Sequence, residues 1–274
     1  MTITGNTRVY AHIGHPMGHV RTPTLYNRLL AERGLDVVVM PLHIRPEDLA
    51  TAPPLFRSWA NLAGVGVTIP HKETMTRLVD ELTPMAARCG ATNVIRRDPD
   101  GRLVGGQFDG LGMTDSLVAA GHSIAGREVL LVGAGGTARA VAFALADAGV
   151  AVLRISNRTA EKASELAAAV LRAYPQCRTD RYTGGGRFDV VINTTSLGMR
   201  AGDPVPVDLD LLTAGTVVAD AVMSPPTTPL LAAAAERGCA IHPGKEMLAA
   251  QFDRTIAFLR LTEVRETGAH GVHS

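Results

Sequence analysis

The chain of 274 residues has room for two modest domains or one large one. Its 27 Lys and Arg residues balance 26 Asp and Glu residues, and the formal net charge of +1 excludes a whole-molecule field that attracts nucleic acid or an anionic membrane. Three widely spaced cysteines exclude a disulfide framework, and neither a signal peptide nor a membrane-spanning run is readable, so we expect a cytoplasmic protein that acts on a small molecule.

Apolar runs rich in Val and Ile alternate with longer segments of helical spacing, a pattern that predicts an α/β fold. Between the first two runs, Thr22 is expected to cap a helix, and a short helix is expected near residues 46–49. Turn residues near position 100 indicate a hairpin that closes the first half. The predicted strands of this half are residues 9–13, 37–44 and 65–69, with the hairpin over 92–105.

The second half repeats strand and helix from residue 128 onwards. Its predicted strands are 128–132, 150–155, 190–193, 217–221 and 240–242, with helices at 160–171 and 229–237. A last helix near 247–261 has no strand after it and is expected to return to the first half. We therefore expect an N-terminal α/β substrate-binding and catalytic domain at 1–109, completed by helix 245–262. A C-terminal Rossmann dinucleotide-binding domain is expected at 110–242, with a cleft between the two.

A glycine-rich turn follows the predicted strand at 128–132 and precedes a predicted helix. It reads Gly133-Ala134-Gly135-Gly136-Thr137-Ala138, which is G-x-G-x-x-A. Gly133 permits a tight turn, Gly135 lets a pyrophosphate approach the backbone, and Ala138 is small enough for the helix to pack closely on the strand. The free N–H groups at the helix start then face the anion. These six residues are expected to bind a dinucleotide, the alternative being a tight turn without a ligand.

The end of the next predicted strand selects the dinucleotide, because a carboxylate there accepts from the ribose 2′-hydroxyl and repels a 2′-phosphate. No carboxylate stands between Arg154 and Glu161, and the segment offers Asn157, Arg158 and Thr159 instead. A guanidinium binds phosphate or stacks on adenine, so the sequence favours NADP over NAD. The alternative is an exposed Arg158 that only caps the next helix.

Hydride transfer between a nicotinamide and an alcohol or ketone leaves one proton to be moved at the substrate oxygen. Lys72 follows the third predicted strand and is expected to project into the cleft, where open α/β sheets bind ligands. Asp109 stands at the domain junction, where its carboxylate could bind both the lysine and a substrate hydroxyl. The alternatives are a surface lysine and a helix N-cap.

Nine segments of the chain resemble, in order, those of the shikimate/quinate dehydrogenase family. They are GHPMGHVRTP (14–23), VTIPHKE (67–73), GATNV (90–94), DGLG (109–112), GAGGTARA (133–140), NRT (157–159), NTTSLGM (193–199), TPLL (228–231) and GKEMLAAQ (244–251). The resemblance implies a reversible NADP- or NAD-dependent oxidation of a ring hydroxyl on a cyclohexene or cyclohexane carboxylate such as shikimate or quinate. It places the chain in aromatic amino acid biosynthesis, and we expect a monomer or a homodimer.

The resemblance also implies a role for individual residues. Lys72 and Asp109 match the family's catalytic pair, while Thr68, Asn93 and Gln251 match positions that hold the substrate's hydroxyls. The residues expected on the cofactor side, beyond the glycine-rich turn and the segment at 157–159, are Thr194, Ser196, Met199, Val222, Gly244 and Met247.

The family pattern is broken where it normally holds the substrate carboxylate with two serines, in His-Ser-x-Ser-Pro. Here Thr22 keeps one hydroxyl and Val20 has none, although both are expected at the substrate. Gly66 stands where the family usually has Asn, which is expected to open space. We hypothesise that the reaction is retained while the preferred substrate is not plain shikimate, its acid group being displaced, modified or gripped by Arg21. The alternative is a neutral substitution compensated elsewhere.

A metal site and a non-catalytic module are two other possible functions. His12, His15 and His19 crowd one loop, but no carboxylate or cysteine lies close in sequence, so no metal site is expected. A non-catalytic NADP- or metabolite-binding module on the same fold is the alternative to an enzyme. Retention of both Lys72 and Asp109 speaks against it.

Overall fold

The first half of the molecule is a mixed sheet flanked by helices. The computed structural model describes residues 2–18 and 20–262, so His19 lies outside the described residues. The elements of this half are β1 (Arg8–Gly14), α1 (Thr22–Glu32), β2 (Val37–His43), a 3-10 turn (Pro46–Thr51), α2 (Ala52–Ser58), β3 (Leu62–Val67), α3 (Lys72–Met75), β4 (Glu81–Leu82), α4 (Pro84–Cys89), β5 (Val94–Arg97) and β6 (Leu103–Gly106). The strand order is β2-β1-β3-β5-β6-β4, and β5 runs antiparallel to both β3 and β6.

The second half is an all-parallel sheet in the order β12-β11-β10-β7-β8-β9. Its elements are α5 (Asp109–Ala119), β7 (Glu128–Val132), α6 (Gly136–Asp147), β8 (Val152–Ser156), α7 (Ala160–Ala173), β9 (Arg178–Arg181), β10 (Val190–Asn193), a 3-10 turn (Leu209–Leu211), β11 (Val217–Asp220), α8 (Pro229–Glu236), β12 (Ala240–His242) and α9 (Gly244–Phe258). The predicted α/β class, with one sheet for the substrate and a Rossmann sheet for the cofactor, is confirmed.

The burial of each element follows its composition. Strand β10 reads VVIN and is buried along its whole length, as expected for a central strand covered by helices on both faces. Helix α7 buries Ala163, Leu166, Ala167 and Val170, a spacing that forms one apolar stripe. Helix α6 is rich in alanine, and eight of its twelve residues are buried because it lies between the sheet and other helices. Over the residues that the structure describes, no helix combines the length and apolar character that crossing a membrane requires.

Some local predictions were wrong. Thr22 is the first residue of α1, the N-cap position is Arg21, and no side chain there bonds the helix start. Strand β3 ends at Val67, two residues before the predicted end, because the chain leaves the sheet toward Pro70. The helix expected near 46–49 is a 3-10 turn that leads into α2. The sequence shows no pattern for the two-residue strand β4 or for β9, whose residues are all polar.

Candidate active site

A cleft of about 900 Å³, open solvent at its mouth included, lies between the carboxyl ends of the two sheets. From the first sheet it is lined by residues of β1 and the loop after β3, and from the second by the loops after β10 and β11. Helix α9 closes one side with Met247, Leu248 and Gln251. The position is the one at which open α/β sheets bind their ligands.

Lys72 and Asp109 meet at the centre of this cleft. The Lys72 ammonium donates to Asp109 Oδ2 at 2.5 Å, and the two residues are only 9% and 4% exposed. Lys72 begins α3 and Asp109 begins α5, so both are fixed at helix starts. The ammonium also donates to Thr137 Oγ1 at 3.0 Å, in the first turn of α6. The pair therefore faces the glycine-rich turn across the cleft.

Asn93 holds the Asp109 carboxylate in place. Its Nδ2 donates to Asp109 Oδ1 at 2.8 Å and to Gln251 Oε1 at 3.0 Å, while its Oδ1 accepts from the backbone N–H of Phe108 at 2.9 Å. Asn93 is 6% exposed and Gln251 is 5% exposed. A carboxylate that accepts from both an ammonium and an amide has its orientation fixed by two charge-assisted hydrogen bonds.

The other residues expected at the substrate also line the cleft: Val20, Thr22 and Thr68. Val20 contributes only apolar surface there. Arg21, between Val20 and Thr22, lines the same mouth and donates to Ser224 Oγ at 2.9 Å, on the loop after β11. The arginine therefore bridges the two halves of the molecule at the entrance.

His12 also lines the cleft. From the sequence it is considered only as a metal ligand, and no metal site is predicted. It is 6% exposed, and neither ring nitrogen has a hydrogen-bond partner among the described residues. Burial, with the nearby Lys72 charge adding to it, lowers the pKa of His12 to about 3, so the imidazole is neutral at physiological pH.

The expectation that Gly66 opens space was wrong. Gly66 lies opposite His12 in the parallel pairing of β1 and β3. A Cβ at position 66 would lie 2.1 Å from His12 Nδ1 and 2.6 Å from the Tyr10 hydroxyl. The two side chains therefore fill the volume that an Asn at this position would need.

The glycine-rich turn fits a dinucleotide phosphate. Gly133 has φ +119°, in the region that favours glycine, and its N–H donates to the Ser156 carbonyl at 2.7 Å, which joins the ends of β7 and β8. A Cβ at Gly135 would meet nothing within 4 Å, so the turn is open where a phosphate approaches. Ala138 is fully buried and lets α6 pack on the sheet. Ala134, Gly136 and Thr137 complete the turn and the helix start, whose N–H groups suit an anion.

The segment that follows β8 stands beside this turn. Asn157 Nδ2 donates to the Thr159 carbonyl at 2.9 Å and shapes the chain before α7. Arg158 and Thr159 are both exposed, so the guanidinium is accessible to a phosphate on a ribose bound at the strand ends. The local donors and the lack of a carboxylate in this segment fit NADP.

The remaining residues expected at the cofactor divide into two groups. Thr194, Met199, Val222 and Met247 line the cleft, whereas Ser196 is exposed outside it. Gly244 is buried and does not line the cleft. A Cβ there would lie 2.6 Å from the Val222 carbonyl oxygen, so this glycine lets the start of α9 approach the end of β11.

Asp220 supports the loop that carries Val222, and no motif in the sequence points to it. Its Oδ1 accepts from Asn193 Nδ2 at 3.0 Å and from the Val222 N–H at 2.9 Å, and its Oδ2 accepts from Thr228 Oγ1 at 2.6 Å. Burial raises the pKa of Asp220 to about 6, against these hydrogen bonds, which lower it.

A Rossmann sheet with a phosphate-binding turn, facing a buried Lys–Asp pair on a second α/β sheet, defines the class of nucleotide-dependent dehydrogenases. The model of the shikimate dehydrogenase substrate binding domain matches residues 12–95, and that of shikimate/quinate 5-dehydrogenase matches residues 117–198. The chain belongs to the shikimate/quinate dehydrogenase family of oxidoreductases.

Individual relatives cover most of the chain. Shikimate dehydrogenase (NADP(+)) of Rubrobacter xylanophilus is 40% identical over 253 residues, which span 90% of this chain and 88% of the relative. The solved structure of shikimate 5-dehydrogenase from Thermus thermophilus, in complex with NADP(H) and shikimate, has a TM-score of 0.82 at 28% identity and covers 92% of this chain and 93% of that one. The ligand-free 5-ketofructose reductase of Gluconobacter sp. also has a TM-score of 0.82, at 30% identity, and covers 92% of each chain.

Proposed function

We propose that this protein is an NADP-dependent dehydrogenase that reversibly interconverts a ring hydroxyl and a ketone on shikimate, quinate or a related cyclohexene or cyclohexane carboxylate. The contact of Lys72 with Asp109, at 2.5 Å inside the cleft between the two sheets, carries the proposal. The hydrogen bond from Lys72 to Thr137 supports it further, because it sets the pair beside the helix expected to bind the cofactor phosphates. Relatives named shikimate dehydrogenase (NADP(+)) support the same activity.

Lys72 and Asp109 divide the proton chemistry between them. The bound nicotinamide supplies or accepts the hydride. In the reducing direction, the Lys72 ammonium donates a proton to the oxygen that gains negative charge, and in the oxidising direction the amine takes it back. The Asp109 carboxylate accepts a hydrogen bond from the substrate hydroxyl and orients the ammonium, while Asn93 keeps that carboxylate fixed. Burial of the pair keeps water from competing for the proton.

The cofactor preference rests on the segment after β8. Arg158 supplies a positive charge and Thr159 a hydroxyl at the position where NAD enzymes of this fold carry a carboxylate. Removing a hydrogen bond to a charged phosphate costs about 1.5–3 kcal/mol, which is roughly ten- to a hundredfold in affinity. Arg158→Ala should therefore raise the KM for NADP by about this factor and leave that for NAD unchanged, and Arg172→Ala, an exposed arginine of α7, is the matched control.

A second candidate substrate is a neutral polyhydroxy ketone reduced by the same pair. Val20 gives no polar atom to a substrate carboxylate, and the neutral His12 gives no charge. The similar 5-ketofructose reductase supports this candidate. Arg21 at the mouth is the cation that supports an acid instead.

We also propose domain boundaries for the chain and a cytoplasmic location. Residues 1–109 with 245–262 form the substrate-binding domain and residues 110–242 the dinucleotide-binding domain, which the confinement of each sheet to one of these segments supports. The three cysteines are free and buried, which supports a reducing cytoplasm. A monomer or homodimer stays a prediction, to be checked by sedimentation.

The deciding experiment is a substrate panel with both cofactors. Shikimate, quinate and 5-ketofructose are supplied with NADP or NAD in the appropriate redox state, and the absorbance of the reduced nicotinamide is followed. We expect turnover of a ring acid with NADP preferred, and a fall in kcat of about 10²–10⁴ in Lys72→Ala. The affinity for NADPH, measured by fluorescence titration, should stay within about threefold in that variant. Binding of NADPH without turnover of any substrate would identify a non-catalytic module instead.

A further inference from the structure

His12 is a buried polar side chain in the cleft wall whose two ring nitrogens have no partner among the described residues. A buried donor or acceptor without a hydrogen bond is costly, so native proteins rarely keep one without a use. The proposed proton transfer by Lys72 and Asp109 does not need this histidine. The free-energy cost of burying the unpaired ring nitrogens therefore favours a hydrogen-bond partner on the bound ligand.

The position of His12 depends on one glycine in the neighbouring strand. His12 and Gly66 are paired in the register of β1 and β3, and side chains at paired positions point to the same face of the sheet. Because a Cβ at position 66 would lie 2.1 Å from His12 Nδ1, the ring could not keep this position beside a larger residue at 66. The polar group that faces the ligand at this point of the cleft is thus supplied by β1.

The groups around the ring set its hydrogen-bonding character. The positive charge of Lys72 disfavours protonation of the imidazole. The centroids of the His12 and Tyr10 rings lie 6.3 Å apart, and the ring planes are tilted by 50°. A neutral imidazole has one N–H donor and one acceptor nitrogen, whereas a carboxylate offers acceptors only. A hydroxyl both donates and accepts, so it satisfies either nitrogen.

We propose that His12 is a specificity-determining substrate-binding residue that hydrogen-bonds a hydroxyl of the ligand from the position its ring occupies because residue 66 is glycine. The proposal rests on the proposed function, since it assigns a contact to the same substrate. The ligand class it selects is a polyhydroxylated ring acid or ketone with a free hydroxyl on the β1 side. His12 would act on substrate affinity and not on the proton transfer, which Lys72 and Asp109 carry.

His12→Val tests the contact with a smaller side chain that suits a strand and has no polar atom. We expect the KM of the substrate turned over to rise by about three- to tenfold, the range for one neutral hydrogen bond, while kcat and the NADPH affinity stay within about twofold. His12→Asn should recover part of that affinity. His15→Ala, an exposed histidine just beyond β1, is the control and should match the wild type. In ¹⁵N spectra of the wild type with NADP, substrate should shift a His12 ring nitrogen.

The outcomes separate this proposal from the proposed function. Wild-type turnover together with an unchanged KM in His12→Val would overturn the role of His12 and leave the proposed function standing. If the wild type turns over no substrate, the proposed function fails, and His12 is then judged by calorimetric titration of shikimate and 5-ketofructose with NADP present. Weaker binding by His12→Val would support the contact. Equal binding, or no binding to either protein, would overturn it.

Discussion

At the scale of single residues, Asp220 shows how the cleft is held in shape at a cost to stability. Three donors, from Asn193, Val222 and Thr228, surround its carboxylate and fix the loop after β11. Burial nevertheless outweighs them and raises the pKa of Asp220 from 3.8 to about 6. The folded protein thus keeps this proton to a higher pH than the unfolded chain does.

The sign of this shift predicts the pH dependence of stability. The stabilising contribution of protonated Asp220 is complete below the unfolded pKa of 3.8 and is lost as the pH rises through about 6. Two pKa units correspond to about 3 kcal/mol as an upper limit. Between pH 4 and pH 7, the free energy of unfolding of the wild type should therefore fall relative to that of Asp220→Asn by up to this amount.

Urea unfolding of both proteins at the two pH values measures the difference. Carboxylates such as Asp80, whose pKa the Arg57 guanidinium holds low, act in the opposite direction but are shared by both proteins and cancel. Asp210→Asn, at an exposed carboxylate in the 3-10 turn before β11, is the control and should behave as the wild type. Parallel pH curves for the wild type and Asp220→Asn would show that the argument is wrong.

Some site residues can be predicted from the sequence and others cannot, because only some of them stand in local motifs. Lys72 and Asp109 stand in motifs that place them at strand and helix ends, so local patterns lead to them. His12 and Gly66 become a pair only through the register of β1 with β3, and their strands lie some fifty residues apart in the chain. Such a pairing depends on the tertiary structure and is not visible in the sequence. The sequence therefore predicts open space at Gly66, whereas the His12 and Tyr10 side chains fill it.

At the scale of elements, two glycines of α5 set how closely the helices approach. A Cβ at Gly110 would lie 2.1 Å from the carbonyl oxygen of Ala140 in α6, and one at Gly112 would lie 2.6 Å from the carbonyl oxygen of Met247 in α9. Both clashes involve backbone, which cannot move aside as a flexible side chain can. Helix α5 is therefore wedged between α6 and α9, and its first residue is Asp109.

Gly110→Ala should destabilise the protein by about 1–3 kcal/mol or more, the usual cost of overpacking, even though alanine favours the helix. The matched control is Gly215→Ala, because a Cβ at Gly215 would meet nothing within 4 Å. That control should change the free energy of unfolding by less than about 0.5 kcal/mol. Urea midpoints of the two variants give the comparison, and equal midpoints would contradict the wedge.

The elements themselves were predictable where the apolar pattern is strong. Strand β10 lies at Val190–Asn193 and β12 at Ala240–His242, as predicted, because short apolar runs there are bounded by polar or turn residues. Strand β9 reads RTDR and has no such pattern. It lies at the edge of the sheet, where only Thr179 is buried and the other side chains are exposed. Pairing with β8, and not its own composition, makes it a strand.

At the scale of the whole molecule, α9 connects the two halves although it is the last helix of the described residues. Leu248, Phe252 and Ile256 belong to the same core cluster as Tyr10 and Tyr26 of the first half. The Phe252 ring meets that of Tyr26 edge-on at 4.9 Å. The first sheet therefore has one face covered by a helix that the chain reaches only after the second sheet is complete.

A chain that ends at residue 243 should consequently fail to form the first half in its native state. Without α9, the apolar face that carries Tyr10, Tyr26 and Leu30 would be exposed to water, at a cost of about 1.5–3 kcal/mol for each large side chain uncovered. We expect strong binding of the dye anilinonaphthalene sulfonate and a large loss of near-ultraviolet circular dichroism. Full-length Phe252→Leu, which conserves most of the volume, is the control and should unfold cooperatively with a small loss of stability. A truncated chain with the dye binding and urea midpoint of the full-length protein would show that the first half holds its fold without α9, and that residues 245–262 do not belong to its domain.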